Sequence, residues 1–258
     1  MKKILALVMA TLVVAGIFVL AGCGKNETTG EKLILATSAD FPPYEYIEGS
    51  DYAGIDIEIA GLIAKKLGRE LVVENMNFNS VIDAVQAGKA DIGMSGITVT
   101  PDRMESVNFT DSYATAVQAI IVPENSPIKT VEDIYAEGAA YKFGVQLSTT
   151  GDIYISGEIN DDKTLNGTVE QYTTGAEAVA ALVAGKIDCV VIDNEPAKSF
   201  VAANKGLKVL DTEYAVEDYA ICLAKENTEL LADVNKALAE LKADGTIDGI
   251  IAKYIPAE

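Results

Sequence analysis

A chain of 258 residues, 49% hydrophobic and 23% charged, has the apolar content for a folded core and the length for two lobes. Its formal net charge of -19 excludes a general nucleic-acid surface, because phosphate is repelled by most of such an exterior. The lack of histidine removes imidazole as general base and metal ligand, and with it Ser/His and Cys/His nucleophile pairs and most catalytic zinc sites.

The opening stretch MKKILALVMATLVVAGIFVLAGC has a basic start, an apolar run and small residues before a cysteine, the layout of a secretory signal over residues 1–22. The apolar run from Ile4 to Leu20 is short for a retained membrane span. Leu20-Ala21-Gly22-Cys23 resembles the bacterial lipobox, which makes Cys23 the expected lipid attachment and the new N-terminus. Each buried acyl methylene contributes about 0.8 kcal/mol, and two or more chains hold stably where one does not. Residues 23–30 are polar and read as a flexible tether. Removing residues 1–22 takes away two lysines, Lys2 and Lys3, and no acid, so the charge goes from -19 to -21. The expectation is an exported, acidic domain tethered to the outer face of the cytoplasmic membrane.

Past the tether, KLILATS and ELVVEN read as strands flanking a helix that starts near Asp56, with Ile57, Gly61, Ala64 and Leu67 at helical spacing and Gly68 as its stop. Strand, helix, strand in that order points to parallel sheets covered by helices. Phe41 in SADFPPYEY and Phe78 in MNFNS stand in loops after strand-like runs, where each either closes the core locally or offers a ring to a ligand. The frames VQAGKADI, ending at Ile92, and LVAGKIDC, ending at Cys189, share Ala-Gly-Lys-x-Asp; each ends a helix on glycine and opens a strand. Two lobes built alike follow from that echo. Extended without a gap, it sets Gly96 opposite Asp193 at the carboxyl ends of equivalent strands, where open α/β sheets bind ligands.

In SGITVTPDR, Thr100 is a helix N-cap with Pro101 at the first helical position, so Arg103 falls in the first turn. A cation there opposes the helix dipole. Its negative partner is either Asp102 or Glu105, or a bound anion such as a carboxylate, with the Gly96 N–H and the Thr98 hydroxyl as further donors. In the second half VQLSTTGD turns a strand into hydroxyls and glycine ahead of a helix, so backbone N–H groups and the Thr150 hydroxyl face the same cleft. Asp193 ends CVVID, either capping the next helix or accepting from an ammonium group. An anion site and a cation site a short distance apart describe the α-carboxylate and α-amino group of an amino acid. Cys189 and Cys222 lie in apolar runs and read as free buried thiols.

The mature chain resembles the family 3 substrate-binding proteins, amino-acid receptors of ABC importers with the type II periplasmic-binding-protein fold. GIDIEIAGLIAKKLG, SGITVTPDRMESVNFTDSY, VQLSTTGD and VVIDNEP carry the resemblance. It implies an α/β fold of two Rossmann-like lobes joined by a two-strand hinge with a ligand cleft between them. Lobe 1 would be residues 31–113 and 220–258, lobe 2 residues 118–214, and the hinge 114–117 and 215–219. The stacking aromatics would be Phe41 and Phe78, the carboxylate partners Gly96, Thr98, Arg103 and Thr150, and the ammonium acceptor Asp193. Ser95 and Thr149 lie beside these positions, while Ser38 and Gln146 choose the side chain. Ser38 departs from the aspartate often found in relatives, which leaves Asp40 or Glu45 to supply that charge. The implied protein is a monomer without metal or cofactor that closes on a free amino acid, polar or else arginine or another basic one, and passes it to a membrane permease. A same-fold lyase of the cyclohexadienyl-dehydratase kind, with Glu45 or Glu195 as acid, and a tethered amino-acid sensor are the alternatives.

Overall fold

A computed structural model of the protein describes residues 31–256. The signal segment, the lipid-attachment residue Cys23 and the tether through residue 30 lie outside the described residues. No helix among the described residues is long and apolar enough to cross a membrane.

The first strand, β1 (Lys32–Thr37), buries Leu33, Leu35 and Ala36 and leads into a small antiparallel sheet of β2 (Asp40–Phe41), β3 (Glu45–Glu48) and β4 (Asp51–Ala53). Helix α1 (Ile55–Lys66) starts at Gly54, whose φ of +123° and close approach to the Tyr44 carbonyl leave no room for a Cβ. Its buried face is Ile55, Asp56, Ile59, Ala60, Ile63 and Ala64, so Ile57, Gly61 and Leu67 are only partly covered, contrary to the expected stripe. Apolar residues line both sides of IDIEIAGLIAKK, and spacing alone does not choose between them; packing against the following strand and the two C-terminal helices does. That strand, β5 (Glu70–Asn75), runs parallel to β1. Helix α2 (Val81–Gln86), β6 (Ile92–Gly93), α3 (Pro101–Ser106) and β7 (Val107–Phe109) complete this stretch.

The chain then passes through β8 (Ala114–Pro123) into a second sheet, built with β9 (Tyr141–Gln146), α4 (Thr150–Asn160), β10 (Gly167–Tyr172), α5 (Gly175–Val183), β11 (Cys189–Asp193), α6 (Asn194–Ala203) and β12 (Leu207–Val209). It returns along β13 (Ala215–Tyr219), antiparallel to β8, and ends in the first sheet with β14 (Cys222–Ala224) followed by α7 (Thr228–Ala243) and α8 (Thr246–Tyr254).

The sheet orders are β5-β1-β6-β14-β7 and β10-β9-β11-β8-β12. Each is a parallel triple flanked by an antiparallel strand. The repeated Ala-Gly-Lys-x-Asp frame has one geometry in both. Gly88 and Gly185 take left-handed φ values of +67° and +65°, ending α2 and α5. Asp91 and Asp188 then each accept the N–H of a neighbouring strand, Ile34 at 2.7 Å and Lys142 at 2.8 Å, and return their own N–H to that residue's carbonyl. This clamp needs a short carboxylate three residues past the glycine, which is why the frame repeats.

Leu33, Leu35, Ile59, Ile63 and Ile92 pack with Val234 and Leu238 of α7, while Phe143, Val145, Ile155 and Val191 fill the second core. Cys189 and Cys222 are free and buried, one in each sheet, and burial pushes the Cys222 thiol up to about 12. Both act as small hydrophobes.

Candidate functional site

The carboxyl ends of β1, β6, β9 and β11 converge on a cavity between the two sheets. Ser38, Phe41, Phe78, Ser95, Gly96, Thr98, Arg103, Gln146, Thr150 and Asp193 all line it, together with Asp40, Glu45 and Thr149. Free space within these walls is about 10 Å³, about that of one water molecule. A guest the size of an amino acid therefore enters only when the walls part.

Gly96 has a φ of +52° and lies against the Phe41 and Tyr219 rings. Its N–H donates to Asp56 Oδ2 at 2.9 Å, so the donor expected for a ligand anion is already used. Tyr113 O–H holds the other oxygen of Asp56 at 2.8 Å. Ser95 donates to Glu45 Oε1 at 2.8 Å and accepts from the Ser38 N–H at 3.1 Å. Glu45 and Asp56 are both fully buried. Burial and the Asp56 charge hold the Glu45 carboxyl well above its usual range, and burial pushes Asp56 up to about 6. Two buried carboxyls this close are costly to ionise together, which favours protonation, most strongly at Glu45. Glu45 is thus tied to Ser95 and Asp56, while Glu195 faces Lys198 at 3.1 Å and lies outside the cavity lining.

Arg103 sits in the first turn of α3 as expected. Thr100 Oγ1 accepts its N–H at 3.2 Å, with Pro101 at the first helical position. Its side chain turns inward, away from the exposed Asp102 and Glu105, and is only 8% exposed. The guanidinium donates to the Thr98 carbonyl at 2.8 Å and across the cleft to the Ser148 carbonyl at 3.0 Å, and stacks 5.5 Å from the centre of the Phe78 ring. Burial lowers its pKa and the Glu217 charge opposes that; a guanidinium stays ionised regardless. Ser148 takes a left-handed φ of +66°, unusual for a side chain bearing residue, and Asp152 holds its N–H at 2.9 Å.

In the second wall Thr149 caps α4, accepting the Asp152 N–H at 3.3 Å and donating its own hydroxyl to the Gln146 carbonyl at 2.8 Å. Asp193 makes no side-chain cap to α6. Its carboxylate accepts from Tyr219 O–H instead. Burial and the Glu217 charge push Asp193 up to about 7, against the pull of the Tyr219 and Gln118 hydrogen bonds. Thr98 and Thr150 were expected to donate to a ligand carboxylate, yet both hydroxyls donate to Glu217 at 2.9 Å. At the far end Ser38 donates to Asp40 Oδ1 at 2.9 Å, with Gln146 also against this carboxylate.

Glu217, Gln118, Tyr219, Asp56 and Tyr113 are the polar residues that the sequence patterns missed. Asp56 offered a signal, an acid on the same helical face as Ile59 and Ile63. Glu217 offered none, since AVEDY puts Val216 outward and the acid inward.

The raised acids set the pH dependence of stability. Between about pH 4 and pH 7 the folded chain binds more protons at Glu45, Asp56 and Asp193 than the unfolded chain does, so stability falls as pH rises through that window. The urea midpoint of the ligand-free protein should be higher at pH 5 than at pH 8; a midpoint rising from 5 to 8 would mean these acids ionise as freely as in the unfolded chain.

Compared with known proteins, the chain matches the family model for bacterial extracellular solute-binding proteins, family 3, over residues 33–257. It is similar to the arginine-binding extracellular protein ArtP of Bacillus subtilis (strain 168), 31% identical over 270 residues covering 100% of each chain. Among solved structures it is similar to an ancestral arginine-binding protein bound to arginine, with 37% identity and a TM-score of 0.79 over 87% of this chain and 98% of that one. A further likeness is to the ancestral amino acid-binding protein AncCDT-1, a precursor of cyclohexadienyl dehydratase, with 32% identity and a TM-score of 0.76 over 86% and 94% of the two chains.

Proposed function

Because the chain belongs to the bacterial extracellular solute-binding proteins of family 3, we propose that it is an extracytoplasmic receptor that closes on a free amino acid and hands it to an ABC importer. The observation that carries this reading is the pair of buried opposite charges, Arg103 and Asp193, on facing walls of one cavity. Arg103 takes the α-carboxylate and Asp193 the α-ammonium; each charge of the zwitterion then gains a partner and hydrogen bonds, which offsets its desolvation. Phe41 and Phe78 flank the ligand side chain. Ser38, Asp40 and Gln146 meet its end, with Ser95 supporting the floor.

The cavity charges favour a basic side chain. Among the described residues Arg103 is the one cation in the lining, and Asp193 answers the ligand's ammonium. Protonation is favoured at Glu45 beside Asp56, and Asp40 is left with neutral Ser38 and Gln146 as its contacts. A guanidinium or ammonium on the ligand supplies the missing charge.

The chain crosses between the sheets along β8 and β13, and these strands, near 114–117 and 215–219, serve as the hinge between lobe 1 (31–113 and 220–258) and lobe 2 (118–214). Closure is favoured only by contacts present in the closed form and absent from the open one. The Arg103 bond to the Ser148 carbonyl is such a contact. The protein acts as a monomer, anchored to the membrane through acylated Cys23. The test is thermal melting of the protein against each common amino acid. A rise confined to arginine or a few polar and basic amino acids supports the receptor, since a ligand that binds only the folded state raises its stability. No rise with any of them, from protein free of carried-over ligand, overturns it and directs the search to elimination from prephenate or arogenate.

A further inference from the structure

The face of β13 turned toward the cleft carries a carboxylate that is not part of the cavity wall. Glu217 is 5% exposed while its neighbour Val216 is 64% exposed, so the strand hides its acid and shows its valine. A buried carboxylate needs donors. Glu217 Oε2 accepts from Thr98 Oγ1 at 2.9 Å, Thr150 Oγ1 at 2.9 Å and Gln118 Nε2 at 3.2 Å. Thr98 comes from the first lobe's wall and Thr150 from the second's, so one oxygen gathers a hydroxyl from each side.

A hydroxyl has one hydrogen and two lone pairs. Having given that hydrogen to Glu217, each threonine has only acceptor capacity left for the cavity. Thr98 keeps both lone pairs, and Thr150 keeps one because Gln118 Nε2 also donates to it at 3.2 Å. A ligand carboxylate, which only accepts, gains nothing from either oxygen, while an ammonium group gains from both. The guanidinium of Arg103 has five N–H bonds, of which one goes to Thr98 and one to Ser148, so donors remain there for the carboxylate.

We propose that Glu217 is a positioning residue that turns Thr98 and Thr150 into acceptors for the ligand's ammonium group and leaves the ligand carboxylate to Arg103. This rests on the amino-acid receptor reading. In Glu217→Leu no acceptor remains behind the threonines, so both hydroxyl hydrogens are free to turn toward the cavity and oppose the ammonium.

The experiment is calorimetry on the full-length chain in detergent with L-arginine and 5-guanidinopentanoic acid, and with L-glutamine and glutaramic acid. Each second compound lacks only the α-amino group. The wild type should prefer the amino acid over its des-amino partner, and Glu217→Leu should shrink that preference about tenfold, a range set by one charge-assisted hydrogen bond. A purely structural role would weaken both compounds alike and leave the ratio unchanged, which overturns the proposal. Should Glu217→Leu fail to fold, Thr98→Val should weaken the amino acid and spare the des-amino acid; equal losses overturn the proposal. Wild-type protein that binds neither of these nor any other common amino acid overturns the receptor reading and this proposal together, whereas binding with an unchanged ratio overturns this proposal alone.

Discussion

Replacing Arg103 by alanine is expected to weaken amino-acid binding by roughly 2 to 5 kcal/mol, the range for removing one partner of a buried charge pair. Two losses combine. The ligand carboxylate would be left in a desolvated site without its cation, and the bond from Arg103 to the Ser148 carbonyl, which ties the walls together, would vanish. Phe78 would also lose the guanidinium stacked on it. Lysine is no substitute, because a single ammonium lacks the fork that reaches the Thr98 carbonyl, the Ser148 carbonyl and a carboxylate at once. Titration calorimetry decides this. A loss of only a few tenths of a kcal/mol in folded protein would remove Arg103 from the site.

The second large effect is expected from Asp193→Asn, again roughly 2 to 5 kcal/mol in binding, together with a change in pH dependence. In the ligand-free site burial and Glu217 hold the Asp193 carboxyl up to about 7. A bound ammonium favours the ionised form, so binding below that value expels a proton. Affinity should be flat above about pH 7.5 and fall by up to tenfold per pH unit below about pH 6.5. Asparagine does not titrate, so the variant should bind weakly and with that component of the slope removed. Calorimetry in two buffers of different ionisation enthalpy counts the protons directly. A wild type that releases none at pH 6 would show that Asp193 is already ionised before the ligand arrives, or that the ammonium docks elsewhere.

Much of the construction was readable from spacing. Thr100 and Pro101 announced the start of α3 because capping and a fixed φ are local properties of two adjacent residues. The twin Ala-Gly-Lys-x-Asp frames announced two similar lobes because a left-handed glycine and a strand clamp also need only neighbours in the chain. The offset between the frames brought Gly96 and Asp193 to one cavity, since equal connections end at equal places in equal sheets.

What spacing left open was the direction of polar groups. Arg103 had acids beside it in sequence, yet it turned to carbonyls on Thr98 and Ser148, one of them in the other lobe. The Gly96 N–H went to Asp56, forty residues earlier, and the Thr98 and Thr150 hydroxyls to Glu217 on the returning strand. By itself the sequence determined most of the strands, helices and caps, because those depend on periodicity and local chain stereochemistry, while several of the residues that meet at the cleft, Ser38 and Gln146 among them, were named through the family resemblance. Only the tertiary structure decided which donor serves which acceptor and which acids keep their protons, because burial and the proximity of charges distant in sequence exist only once the lobes have come together.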